Sequence, residues 1–182
     1  MPETRLQIKL FGDPVLRKKA QAVREVSECQ RDLLSKMVRL MYEQAGIGLA
    51  APQVGINQSM IVIDIGDGLY KLVNPKIVKK EGTQIMQEGC LSVPGVCLNV
   101  KRAKRVEVEA VDEYGQPISL AANDLLARVL QHEIDHLHGK LIVDYASFLE
   151  RLKLRNKLER IIKRTDDEKL PKSETKSCKL QL

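Results

Sequence analysis

The sequence predicts an α+β fold in a single domain. Its 182 residues, 43% of them apolar, suffice for one domain with a real core. The middle of the chain alternates apolar and polar residues, as half-buried strands do. Three other segments repeat apolar residues at helical spacing, and helices set apart from hairpin-connected strands are the α+β pattern.

The elements follow in order. "GDPVLRKKA" (12–20) opens on a turn signal. "SECQRDLLSKMVRLMYEQAG" (27–46) predicts a helix. Leu33, Leu34, Met37, Leu40 and Met41 share its apolar face, Ser27 can cap its start and Gly46 can end it. "IGLAAPQVG" (47–55) mixes small residues with Gly and Pro, a loop or extended segment. "SMIVIDI" (59–65) is a strand, and "YKLVNPKIV" (70–78) a second one broken at Asn74-Pro75. "KRVEVEAVDEYGQPISL" (104–120) is a hairpin, because Val106, Val108 and Ala110 alternate with charges and "EYGQP" supplies the turn. "NDLLARVLQHEIDHLHG" (123–139) is a helix with Asn123 as its cap and Gly139 as its stop. A last helix spans 147–164, and the polar segment 165–182 is expected to be a disordered tail.

Composition narrows the class. Two Phe, four Tyr and no Trp require an aliphatic core. No apolar run approaches the roughly 20 residues of a membrane span. The N-terminus lacks the apolar stretch of a secretory signal, so a cytoplasmic protein is expected. Cys29, Cys90, Cys97 and Cys178 form no C-x-x-C pair. In the cytoplasm each is expected as a buried thiol or a ligand rather than part of a disulfide framework. The net charge of +6 permits an anionic partner without demanding one.

The chemistry concentrates in "QHEIDHLHGK" (131–140). His132 and His136 lie four apart, on one face of the helix, with Glu133 beside them. H-E-x-x-H suits a metalloenzyme because it gives two imidazole ligands and a carboxylate near the ion. An ordinary amphipathic helix can carry the same letters. Here, however, Leu125, Val129 and Leu130 precede His132 and Leu137 follows, which puts the histidines at the buried stripe. Two buried imidazoles without partners would be costly, and a metal satisfies both. His138 falls off this face and is expected to be exposed.

A catalytic site of this kind needs a third ligand. The position three after Gly139 is Ile142, which excludes a third histidine there. Glu150 and Glu159 on the last helix are candidates, as in a zinc endopeptidase. Cys90 in "QEGCLSVPGV" (87–96) is the stronger one, set between small and turn-forming residues that can present a thiolate.

With that segment the chain resembles the bacterial type of peptide deformylase. "GIGLAAPQVG" (46–55), "EGCLSVPG" (88–95) and "QHEIDHLHG" (131–139) match that family in order and spacing, and "GDPVLR" and "GKLIVDY" (139–145) also fit. The resemblance implies mostly antiparallel strands packed around a central helix carrying H-E-x-x-H, plus a C-terminal helix, over residues 1–164. It implies Cys90, His132 and His136 as ligands of one divalent ion, natively Fe2+, with Zn2+, Ni2+ or Co2+ also able to occupy the site. It implies Glu133 as general base and then acid, and the Gln53 amide and Leu91 backbone N–H as oxyanion donors. The implied reaction releases formate from N-formylmethionine of nascent chains. Ile47, Gly48 and Gly89 would pair with the peptide as an added strand. Leu125 and Val129, on the His132 face, are candidates for a methionine pocket, with Met86 and Glu88 contributing.

Two departures from the family concern Cys97, where some members carry an arginine, and Arg128, where others are apolar; the first bears on contacts beyond methionine, the second on the rim of the pocket. The last helix has seven basic residues against two acidic ones between Ser147 and Arg164. Leu154, Leu158, Ile161 and Ile162 give it an apolar stripe. The resemblance implies docking at the ribosome near the nascent-chain exit, with neither membrane nor DNA as a partner. A ribosome- or RNA-binding module with a structural metal is the reading from another class.

Overall fold

The computed structural model describes residues 6–165 and Leu182; the rest of the expected tail lies outside the described residues. After a single 3-10 turn at Pro14–Arg17, helix α1 spans Glu28–Glu43. Ser27 caps it as predicted: its hydroxyl accepts from the Cys29 amide, and the Gln30 side chain accepts from the Ser27 amide. The helix ends earlier than the predicted stop. Ala45 takes the left-handed conformation (φ 54°), and the Gly46 N–H reaches back to the Met41 carbonyl at 3.0 Å.

Strands β1 (Gly48–Ala50), β2 (Met60–Asp64), β3 (Leu69–Glu81), β6 (Arg105–Val111) and β7 (Pro117–Asn123) form one sheet in the order β1-β2-β3-β6-β7. Every neighbouring pair in it is antiparallel. The break predicted at Asn74-Pro75 is a bulge inside β3, where the register shifts between Val73 and Lys76. Pro75 has no N–H for the ladder. Asn74, at φ 51°, instead ties the strand to Val23: its side chain accepts from the Val23 amide at 2.9 Å and donates to the Val23 carbonyl at 2.8 Å.

β4 (Gln84–Glu88) and β5 (Leu98–Arg102) make a second, two-stranded antiparallel sheet absent from the sequence reading. β4 hides its signal, since Ile85 and Met86 are exposed. β5 alternates buried Leu98, Val100 and Arg102 with exposed Asn99 and Lys101, and the charge at the third inward position breaks the apolar period.

Helix α2 (Asp124–Leu137) is the centre of the molecule. It packs against β1, β2, β3, β6 and β7, and nearly all of its residues are buried. Asn123 occupies the cap position without a side-chain capping bond. Gly139 ends the helix as predicted, at φ 71°, and a Cβ there would meet the Arg17 carbonyl oxygen at 2.5 Å. Only glycine tolerates both constraints. Helix α3 (Phe148–Thr165) rests on the second apolar cluster through Leu154, Leu158 and buried Ile161, while Phe148, Leu149 and Leu152 are exposed. Among the described residues no helix is long and apolar enough to cross a membrane.

The cysteines depart from expectation. Cys90 is a buried free thiol, but Cys29 is exposed and Cys97 is disulfide-bonded. Cys29 sits in the first turn of α1, at an exposed position.

Candidate metal centre

α2 delivers two of the three ligand candidates from one face. His132 and His136 stand one turn apart, both 1% exposed, with their Nε2 atoms 3.2 Å from each other. The turn after β4 brings the third: Cys90 Sγ lies 3.4 Å from His136 Nε2. Among the described residues this is the one group of His, Cys, Asp or Glu able to hold an ion. For N and S ligands placed tetrahedrally, the bond lengths to zinc require N···N and N···S edges of about 3.3 and 3.5 Å. The two observed edges match these, and all three ligand atoms lie within 4.8 Å of one another.

The chemistry of the donors agrees. Burial pushes the Cys90 thiol up to about 12, and burial also lowers both histidines, His136 well below the usual imidazole range. Neutral imidazoles are ready ligands, and a thiolate at this depth needs a cation beside it.

Glu133 adjoins the ligands. It is fully buried, neither carboxylate oxygen has a hydrogen-bond partner among the described residues, and burial raises its pKa well above the ordinary range. β1 holds it in place: a Cβ on Gly48 would collide with the Glu133 carboxylate and approach Val129 Cγ1 to 2.9 Å. Glycine is therefore required where the strand passes the base.

Gln53 comes from the 3-10 turn Ala51–Val54 and is fully buried. Its side-chain oxygen accepts from the Ala50 amide at 2.8 Å, which orients the NH2 toward Cys90 Sγ (3.7 Å) and Ser92 Oγ (3.3 Å). The Leu91 N–H donates at 2.8 Å to the backbone oxygen of Leu182. Both predicted oxyanion donors thus lie next to the ligands.

The remaining predicted residues divide. Ile47 and Gly48 lie at and before the start of β1, the edge strand of the large sheet. Val129 is fully buried, Leu125 is half-buried against the same cluster, and Gly89 leads into Cys90. Met86 is 41% exposed on β4. Glu88 faces inward: its carboxylate sits 3.1 Å from His132 Nδ1 and accepts from Arg102 Nε and Nη2 at 2.6 and 2.9 Å and from Arg128. Burial alone would raise it, but the bonds from His132 and Arg102 outweigh that and hold it at about 2. A permanent carboxylate there orients His132, as carboxylates do behind metal-bound histidines.

Arg128 is not on a pocket rim. It is fully buried, and besides Glu88 it donates to the Val100 carbonyl at 3.0 Å and the Gln84 carbonyl at 3.1 Å. Arg102, absent from the sequence reading, is its counterpart, bridging Glu88 to Asp135 at 2.8 Å. Its only trace in the sequence is a charge at an inward position of β5. The carboxylates proposed for an endopeptidase are elsewhere: Glu150 accepts from Ser147 at the start of α3, and Glu159 pairs with Arg155 at 3.0 Å.

The comparisons agree with this geometry. Residues 5–152 match the family model for polypeptide deformylase. A peptide deformylase of Halothermothrix orenii is 49% identical over 141 residues, 76% of this chain and 92% of the relative. One of Syntrophomonas wolfei is 51% identical over 140 residues, 77% of this chain and 92% of the relative. Among solved structures, a peptide deformylase from Legionella pneumophila superposes with TM-score 0.83 at 42% identity, covering 91% of this chain and 99% of that one. The enzyme from Synechococcus elongatus, in complex with actinonin, gives 0.80 at 44% identity, covering 88% of each. By sequence and by fold, the chain belongs to the polypeptide deformylase family.

Proposed function

We propose that the protein removes the N-formyl group from N-formylmethionine of nascent polypeptides, with one divalent ion held by Cys90, His132 and His136. The observation that carries this is the convergence of those three ligands with a buried Glu133 that has no hydrogen-bond partner among the described residues. Those residues would hold the ion, which we assign as Fe2+ with Zn2+, Ni2+ or Co2+ as substitutes, and it would supply the Lewis acidity that lowers the pKa of water. Glu133 takes the proton from the attacking water and passes it to the leaving nitrogen. Oxygen adds to the formyl carbon, the C–N bond breaks, and formate and a free amine result. The Leu91 N–H and the Gln53 NH2 donate where negative charge develops on the formyl oxygen.

The peptide adds as a strand between the β1 edge at Ile47 and Gly48 and the backbone at Gly89. Val129 and Leu125 form the methionine pocket, Met86 flanks it, and Glu88 acts through His132. Replacing Glu133 by Gln should keep the metal and lower kcat at least about a hundredfold. Near-normal turnover with metal bound would remove Glu133 from this role.

Residues 1–164 form the catalytic domain, which acts in the cytoplasm, and its basic α3 docks on the ribosome. Arg155 is paired with Glu159 and Lys157 donates to the Gly95 carbonyl, so exposed Lys153, Arg160 and Lys163 form the docking face. Changing these three to Glu should abolish ribosome cosedimentation and leave hydrolysis of a short peptide intact. Unchanged cosedimentation at moderate salt would refute the docking.

A further inference from the structure

We infer that Leu182 occupies the substrate cleft and holds the enzyme in a self-inhibited state. The inference rests on the deformylase reading of the site. Leu182 is bonded on both sides to the segment that presents Cys90: its N–H donates to the Gly89 carbonyl at 3.3 Å, and its backbone oxygen accepts from the Leu91 N–H at 2.8 Å. That is the pairing of an added strand. The Leu182 side chain is fully buried in the apolar cluster that contains Val129, Leu126 and Leu130 of α2.

Three chemical features of the occupant match those of the substrate. A carbonyl-type oxygen sits on the Leu91 amide, where the formyl oxygen belongs. A backbone N–H pairs with Gly89, and an unbranched-at-Cβ apolar side chain fills the place of methionine.

An attached occupant competes at an effective concentration in the millimolar range, as tethered ligands do. The apparent affinity for substrate then falls by the fraction of molecules whose cleft is open. The chemical step, once substrate is bound, is untouched.

The test compares the full chain with a Leu182→Glu variant and with a chain ending at residue 165. A fluorescent formyl-Met peptide is titrated into each, in a Glu133→Gln background so that no turnover occurs. KM and kcat are measured with Glu133 intact. Binding about tenfold tighter and KM about tenfold lower, at equal kcat, is the expected result for both variants. The free tetrapeptide Lys-Leu-Gln-Leu should also displace the probe from the shortened chain. Equal or weaker probe binding in both variants, or no displacement by the tetrapeptide, would overturn the inference. If no chain released formate while the tetrapeptide still displaced the probe, the deformylase reading would fail and the self-occupied cleft would stand.

Discussion

Replacing Glu88 by Gln tests how the metal-ligand helix is held in place. Glu88 is completely buried and is the shared acceptor for Arg102, Arg128 and His132. Gln keeps the shape but removes the charge that compensates two buried guanidiniums. Taking one partner from a buried ion pair costs about 3–5 kcal/mol. Arg102 keeps Asp135 at 2.8 Å, and Arg128 keeps the carbonyls of Val100 and Gln84. Those surviving contacts put the loss at the low end, about 3 kcal/mol. For a chain of this size each kcal/mol shifts Tm by about 2–4 °C, so Tm should fall by about 6–12 °C. His132 also loses its orienting carboxylate, and metal affinity should drop about 10–100-fold. Circular dichroism melts of metal-free protein separate the first effect from the second, which is read by metal titration. A Tm within about 2 °C of the parent would refute the view that Glu88 anchors two buried arginines.

Other perturbations have distinct readouts. Cys90→Ser should lose most bound metal in purified protein, whereas Cys29→Ser, at an exposed position, should retain it; equal metal content would refute the ligand assignment. Gly48→Ala drives a methyl into the Glu133 carboxylate and Val129, so stability should fall by about 1–3 kcal/mol with kcat reduced and metal retained. Parental kcat in that variant would show that Glu133 need not be held where it is.

The parts of the fold legible in the sequence were those with a clean period. α2 and its two histidines follow from apolar spacing, and the Ser27 cap and the 104–120 hairpin follow from turn and capping residues. The β4–β5 sheet was hidden because Met86 and Ile85 face outward and Arg102 faces inward, against the alternation that marks a strand. The roles of Glu88 and Arg128 were obscured for a related reason. A charge in a sequence reads as exposed, and only the pairing of three charges across β4, β5 and α2 makes burial affordable. Cys90 as a ligand rested on the resemblance to known motifs, since a lone cysteine carries no period at all. Leu182 gave no signal in a polar tail.

The most direct measurement is formate release from a formyl-Met peptide by protein purified without oxygen, alongside the metal content of the same sample. Formate should appear in step with about one divalent ion per chain, vanish on chelation and return when the ion is restored. Formate released at the parental rate by fully metal-free protein, or none released by protein carrying one ion at the Cys90, His132 and His136 site, would contradict the central claim.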